Sequence, residues 1–220
     1  MKTKLLVIVS LLTVVSFAEK EVLKKETSED VQNLISRMET GEFNLPDNPQ
    51  DFLKQMIPFM RDMKKLDLSS KQLLTELPET IDQLGKLTSL HLNYTGIRFL
   101  PKSVTSLKNI EVLELKQIYD ANRFIVVPFD ICKMYKLLVL KTPRGVVFEG
   151  ETLKTLKEYC KKAHNIFSAK EAGKSFSEKD KGDVIAYFAQ VELLSGLSFT
   201  VNPSFCFSDD PKVKNPPFYC

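Results

Sequence analysis

The stretch LTSLHLNYTGIRFLPKSVTSL, from Leu87 to Leu107, decides the fold. Its histidine, tyrosine and hydroxyls would suit a local active site, but its apolar residues are too regular for that. Leu87, Leu90, Leu92, Ile97, Leu100, Val104 and Leu107 spell LxxLxLxxxxIxxLPxxVxxL. The template fits upstream on Met63, Leu66, Leu68, Leu73, Leu77-Pro78, Ile81 and Leu84. It fits downstream on Ile110, Leu113, Leu115, Val127-Pro128, Ile131 and Met134, with a fragment at Leu137 and Leu140. Self-similarity at about 20–29 residues marks stacked repeats. Each LxxLxL piece is a short strand with alternate side chains inward. One unit cannot bury that face alone, so neighbours stack and share a continuous core.

These residues resemble the leucine-rich repeat family, in its common subclass with Leu-Pro dipeptides. The resemblance covers about 80 residues. It implies an α/β fold: a short solenoid with a parallel concave sheet, a helical N-terminal cap and a helical, disulfide-tied C-terminal cap. The family usually places Asn before the convex turn, whereas this chain has Lys71 and Thr95. Thr95 can substitute in part through its hydroxyl. Lys71 is expected to swing outward, because a buried charge must be satisfied. The insertion QIYDANRF, residues 117–124, is expected to bulge from the coil. The lysine bias, short length and unusual caps are also similar to small secreted leucine-rich repeat proteins of microsporidian parasites, which implies a host-directed role.

The expected division is a signal peptide over 1–18, an N-terminal cap over 19–62, repeats over 63–143 and a C-terminal cap with a cysteine-containing tail over 144–220. The start, MKTKLLVIVSLLTVVSFA, has a basic end, an apolar run and small residues at Ser16 and Ala18, the pattern of a cleaved export signal. The run is too short to favour a membrane span. Cleavage removes Lys2 and Lys4 and leaves 29 basic residues against 28 acidic ones. Such a balance does not point to nucleic acid, which calls for a concentrated basic face.

In the N-terminal cap, Val31, Leu34, Ile35 and Met38 follow helical spacing, with Thr27 and Asp30 as a capping box. A second helix is expected between Pro49 and Pro58, its methionines Met56, Met60 and Met63 filling core. In the C-terminal cap, Leu153, Leu156, Cys160 and Ala163 form one helix face. A second helix starts at Ser177 and Asp180, carries Val184, Ile185, Phe188 and Val191 inward, and stops at Gly196. The aromatic tail after it reads as an irregular packed lid. Export makes disulfides the default for Cys132, Cys160, Cys206 and Cys220. Of three possible connectivities, closeness in sequence favours Cys132 with Cys160 and Cys206 with Cys220.

Parallel strands stack about 4.8 Å apart, so equivalent repeat positions form rows. One row reads Asp67, His91, Glu114, Lys141. A histidine between two carboxylates can bind a metal or orient a base, and Ser69, Ser70 and Ser89 are nearby. An open sheet face, however, offers neither an oxyanion site nor a pocket. Cys160 and His164 stand at i, i+4 among lysines, as a reactive thiol would. A family ligase domain with a catalytic cysteine is far longer than this C-terminal region, and its Cys-x-Asp signature is absent. No cofactor is expected.

The function expected is non-enzymatic binding of a protein partner by a secreted monomer. Its contact face comprises Lys64, Lys65 and Asp67 on the first strand and Ser89, His91, Asn93 and Tyr94 on the second. Glu114, Lys116, Gln117 and Lys141 complete it. Tyr94 is the expected anchor, as tyrosine is enriched at interface hot spots. Asn93-Tyr94-Thr95 is a glycosylation sequon, so Asn93 is a candidate acceptor. The alternatives are a secreted cysteine-dependent hydrolase or ubiquitin-ligase-like effector using Cys160 and His164, and a self-associating coat or wall component.

Overall fold

A computed structural model describes residues 30–117, 125–171 and 177–200. Two helices lead in. Residues 30–40 form α1, which buries Leu34 and Met38. Pro49–Met56 form α2; Asn48 caps it by accepting from the Asp51 amide at 3.3 Å, and Pro49 opens it. A tight 3-10 turn, Ile57–Phe59, carries Pro58 and ends the helical segment. Met56, Met60 and Met63 are buried core residues.

The chain then repeats one unit: a three-residue strand, a turn, a Leu-Pro or Val-Pro pair and a 3-10 helix. The strands are β1 (Lys65–Asp67), β2 (Ser89–His91) and β3 (Val112–Glu114). The 3-10 segments of the three units are Glu79–Gln83, Lys102–Ser106 and Phe129–Lys133. The strand β4 (Ile125–Pro128) precedes the last of them. Next come β5 (Val139–Lys141) and the short β6 (Val147–Glu149). The main sheet has the order β1-β2-β3-β5-β6. Its first four strands are parallel, with Leu66, Leu90, Leu113 and Leu140 in register and all fully buried. The antiparallel β6 closes the far edge. The result is an α/β fold with a mostly parallel sheet.

The helix α3 (Gly150–Glu171) packs on the Phe129–Lys133 turn and buries Leu153, Leu156, Cys160 and Ala163. The helix α4 (Glu178–Ser195) is capped by Ser177, whose Oγ accepts from the Asp180 amide at 3.1 Å. It ends where Gly196 takes a left-handed φ of 70°. Tyr159 and Tyr187 stack at 3.7 Å and join the two helices.

Five expectations change. In the first unit Leu74, not Leu73, points inward; Leu73 is 69 % exposed. That turn holds one more residue than the Leu92–Ile97 turn, which rotates the side chains by one position. Ile185 is exposed, while Val184, Phe188 and Val191 are buried. The stretch after Gly196 is not wholly irregular: Leu197–Thr200 form β7, which pairs in parallel with β4 through Ile125↔Leu197 to Pro128↔Thr200. Cys132 and Cys160 are both free thiols, since Cys160 turns into the core and Cys132 sits half-buried on the facing turn. Lys71 does not swing outward. Its ammonium donates to the Gly41 carbonyl at 3.0 Å and lies 4.7 Å from the centre of the buried Phe43 ring. Loss of water there pulls its pKa down, and the carbonyl and ring satisfy the charge.

The signal-peptide segment, Thr27, residues 118–124, Cys206, Cys220 and the rest of the tail fall outside the described residues.

Candidate partner-binding face

The outward residues of the strands form two rows. One is Lys65, Ser89, Val112 and Val139; the other is Asp67, His91, Glu114 and Lys141. The second row is organised around Glu114. Its Oε1 accepts from Lys141 Nζ at 2.6 Å. Its Oε2 accepts from Asn93 Nδ2 at 2.7 Å and lies 2.9 Å from His91 Nδ1. Burial by itself would raise the Glu114 pKa. The bonds from Lys141 and Asn93 and the nearby positive charge outweigh it and bring the pKa down to about 2. An ionised carboxylate only accepts, so His91 Nδ1 carries the proton it shares with Glu114. His91 Nε2 then faces Ser89 Oγ at 2.6 Å.

Glu114 is thus a buried organiser rather than an exposed contact. Gln117 is likewise buried, its backbone N–H donating to the Pro143 carbonyl at 3.0 Å. These two expected contacts leave the accessible set. Lys64, Lys116 and Lys141 are exposed, while Lys65, Ser89, His91, Asn93 and Tyr94 are half-buried. Asp67 does not flank His91 as a second carboxylate partner. It turns to the Ser69 amide at 3.0 Å and to Lys65 at 3.7 Å, with Gly41 packed against it.

Beside this row the turn supports its own side chains. Thr95 is buried and donates to the Leu92 carbonyl at 3.0 Å, the substitution expected for the family Asn. Asn93 Oδ1 accepts from the Lys116 amide at 3.0 Å. Both ends of the Asn93 side chain are therefore engaged, and a glycan on Nδ2 would displace its bond to Glu114. Tyr94 has a positive φ of 59°, and its ring lies 5.9 Å from Lys116 Nζ. Val112 and Val139 were missed as face residues. Their signal was the same register that aligned the charged row, read two positions earlier.

Ser89, His91 and Glu114 have the connectivity of a nucleophile, base and orienting carboxylate. The backbone amides beside the hydroxyl are already bonded, however: Thr88 and Ser89 both donate to the Lys64 carbonyl. Elsewhere, Cys160 is fully buried, and burial drives its thiol pKa well above the usual value. His164 instead approaches Asp130 at 3.9 Å. Among the described residues, no cluster of three or more His, Cys, Asp or Glu is placed to hold a metal ion. No described helix is long and apolar enough to cross a membrane.

No family model matches the chain. A stretch of 58 residues, 26 % of the chain, is 43 % identical to part of a probable disease resistance protein of Arabidopsis thaliana. The match spans 7 % of that protein's length. Over that stretch the chain is similar to a segment of a much larger protein.

Proposed function

We propose that this chain is a short leucine-rich repeat solenoid that binds a protein partner through the outward face of β1, β2, β3 and β5, without catalysing a reaction. The observation that carries the reading is the ordered row from His91 to Lys141. It fixes a polar face with half-buried Tyr94, Val112 and Val139 around it, and a preorganised face of mixed polarity lowers the ordering cost of binding. The partial likeness to a disease resistance protein supports an interaction role. The bonded amides beside Ser89 speak against an acyl-transfer site, which needs free donors for a developing oxyanion. The Cys160 alternative loses support because a buried thiol in apolar surroundings is a poor nucleophile.

Immobilised chain should capture a protein partner identifiable by mass spectrometry. His91→Ala, Tyr94→Ala and Lys116→Ala should weaken that capture without lowering the melting temperature below the folded range. Asp82→Ala, exposed on the opposite 3-10 side, should leave it intact. Capture by all four variants equal to that of the original chain would move the binding surface elsewhere. We further propose export as a monomer, directed by residues 1–18. A secreted product whose first residue is not near Glu19, or one that sediments as an oligomer, would contradict this.

A further inference from the structure

An open groove of about 540 Å³ lies between α3 and the segment from Cys132 to Leu138. That is the size of a small-molecule site. Its floor is apolar, with Leu137 and Leu153 buried. Its walls carry Tyr135, which is 84 % exposed, and Leu138, which is 60 % exposed. Among the described residues, four lysines stand in the lining with Glu158 as the carboxylate. Two of those lysines are neutralised from outside the groove: Lys133 by Asp130 at 2.5 Å and Lys154 by Glu151 at 3.4 Å. Lys157 and Lys161 have no carboxylate within ion-pair distance among the described residues.

Lys157 is held in a fixed position. Its ammonium donates to the Met134 and Leu137 carbonyls, each at 2.9 Å. An ammonium has three N–H donors, so one of them stays available to a ligand. Loss of water around the half-buried charge pulls its pKa down, and an anion seated against it would offset that cost. Setting Glu158 against Lys157 and Lys161 leaves the lining one positive charge in excess. A head group with a single negative charge therefore balances the groove, while the floor and walls suit an uncharged tail. A wholly apolar occupant would cover the Lys157 ammonium and leave its charge unpaired.

We propose that this groove binds a free long-chain carboxylate, its head accepting from Lys157 and Lys161 and its alkyl chain lying over Leu137 and Leu153 between Tyr135 and Leu138. The groove shares no residue with the sheet face, so the assignment does not depend on that face's function. Cys132 lines the same groove as a half-buried free thiol and reports whether it is occupied.

Isothermal calorimetry of the full chain with laurate, kept below its micelle-forming concentration, tests it. Laurate should bind at one site per chain. Octanoate, with a shorter tail, should bind roughly tenfold or more weakly, since each methylene taken from water adds affinity. Dodecyltrimethylammonium, with the same tail length and the opposite charge, should not bind. Leu138→Asp and Lys161→Glu, both at exposed positions, should each weaken laurate binding by roughly tenfold. Asp82→Ala should bind it as the original chain does. If Leu138→Asp lowers the melting temperature, Lys161→Glu decides alone. Laurate should also slow the alkylation of Cys132 by iodoacetamide. No binding of laurate, or equal binding by the original chain and both groove variants, would overturn the proposal, as would equal binding of the cationic amphiphile. Attachment to phosphatidylglycerol vesicles that Leu138→Asp abolishes, with no uptake of free laurate, would overturn it in favour of a membrane surface. A dimer that Leu138→Asp disperses would overturn it in favour of a second copy in the groove.

Discussion

His91 Nδ1 and Glu114 Oε2 lie 2.9 Å apart although 23 residues separate them in the chain. The parallel register of β2 and β3 places them side by side. The carboxylate is shared: Lys141 from β5 and Asn93 from the turn after β2 complete its contacts. Three successive strands therefore meet on one acidic side chain.

That arrangement has a pH signature. The Glu114 pKa is about 2 in the folded chain against 4.5 for an ordinary glutamate. A depressed carboxylate contributes stability that is fully present above the unfolded value and is lost as pH falls through the folded one. The stability difference between the original chain and Glu114→Gln should hold steady above about pH 5 and shrink between about pH 4.5 and 2. Its plateau should not exceed about 2 kcal/mol once solvent screening is allowed for. Urea melts across this range give the measurement, and a difference flat in pH would refute the shared-carboxylate account.

Leu73 and Leu74 separate two registers of the first unit. Leu74→Ala should cost about 2–5 kcal/mol, as deletion of a buried leucine does. Leu73→Ala should stay within about 0.5 kcal/mol. Thermal unfolding of the two variants side by side decides the register, and the reverse order would restore the simple five-residue spacing.

Gly96 marks where two turns come closest. A Cβ built there would stand 2.4 Å from the Gln72 carbonyl oxygen and 3.1 Å from that of Leu74, both backbone atoms that cannot swing aside. Gly96→Ala should therefore destabilise by about 1–3 kcal/mol. Gly85→Ala, with nothing within 4 Å, should be neutral or slightly stabilising. Similar melting points for both would mean the turns are farther apart.

Lys71 ties the N-terminal segment to the first unit. Lys71→Ala removes the donor to the Gly41 carbonyl and the contact with Phe43, and should cost about 1–2 kcal/mol. Hydrogen exchange should rise first in residues 30–43, the segment that lysine anchors. Uniform exchange across the sheet would show that the tie is not local.

The leucine spacing was enough to set out the strands, their parallel order and the row from Asp67 to Lys141. Inward leucines at a fixed period leave one register in which every unit buries its face. Helix ends were equally legible where the signal is chemical and local, as at Pro49, Ser177 and Gly196. The sequence could not place side chains whose partners come from elsewhere in the chain. Lys71 looked like an unsatisfied charge until Gly41 and Phe43 were brought to it. Glu114 looked like a contact residue until three basic or amide groups closed over it. Helical spacing already put Cys160 on the inward face, but closeness in sequence suggested a bond to Cys132 that the packing does not form. The pairing of β4 with β7 and the groove beside α3 join segments that share no period. Their formation rests on which surfaces remain uncovered after the repeats have stacked, and only tertiary packing determines that.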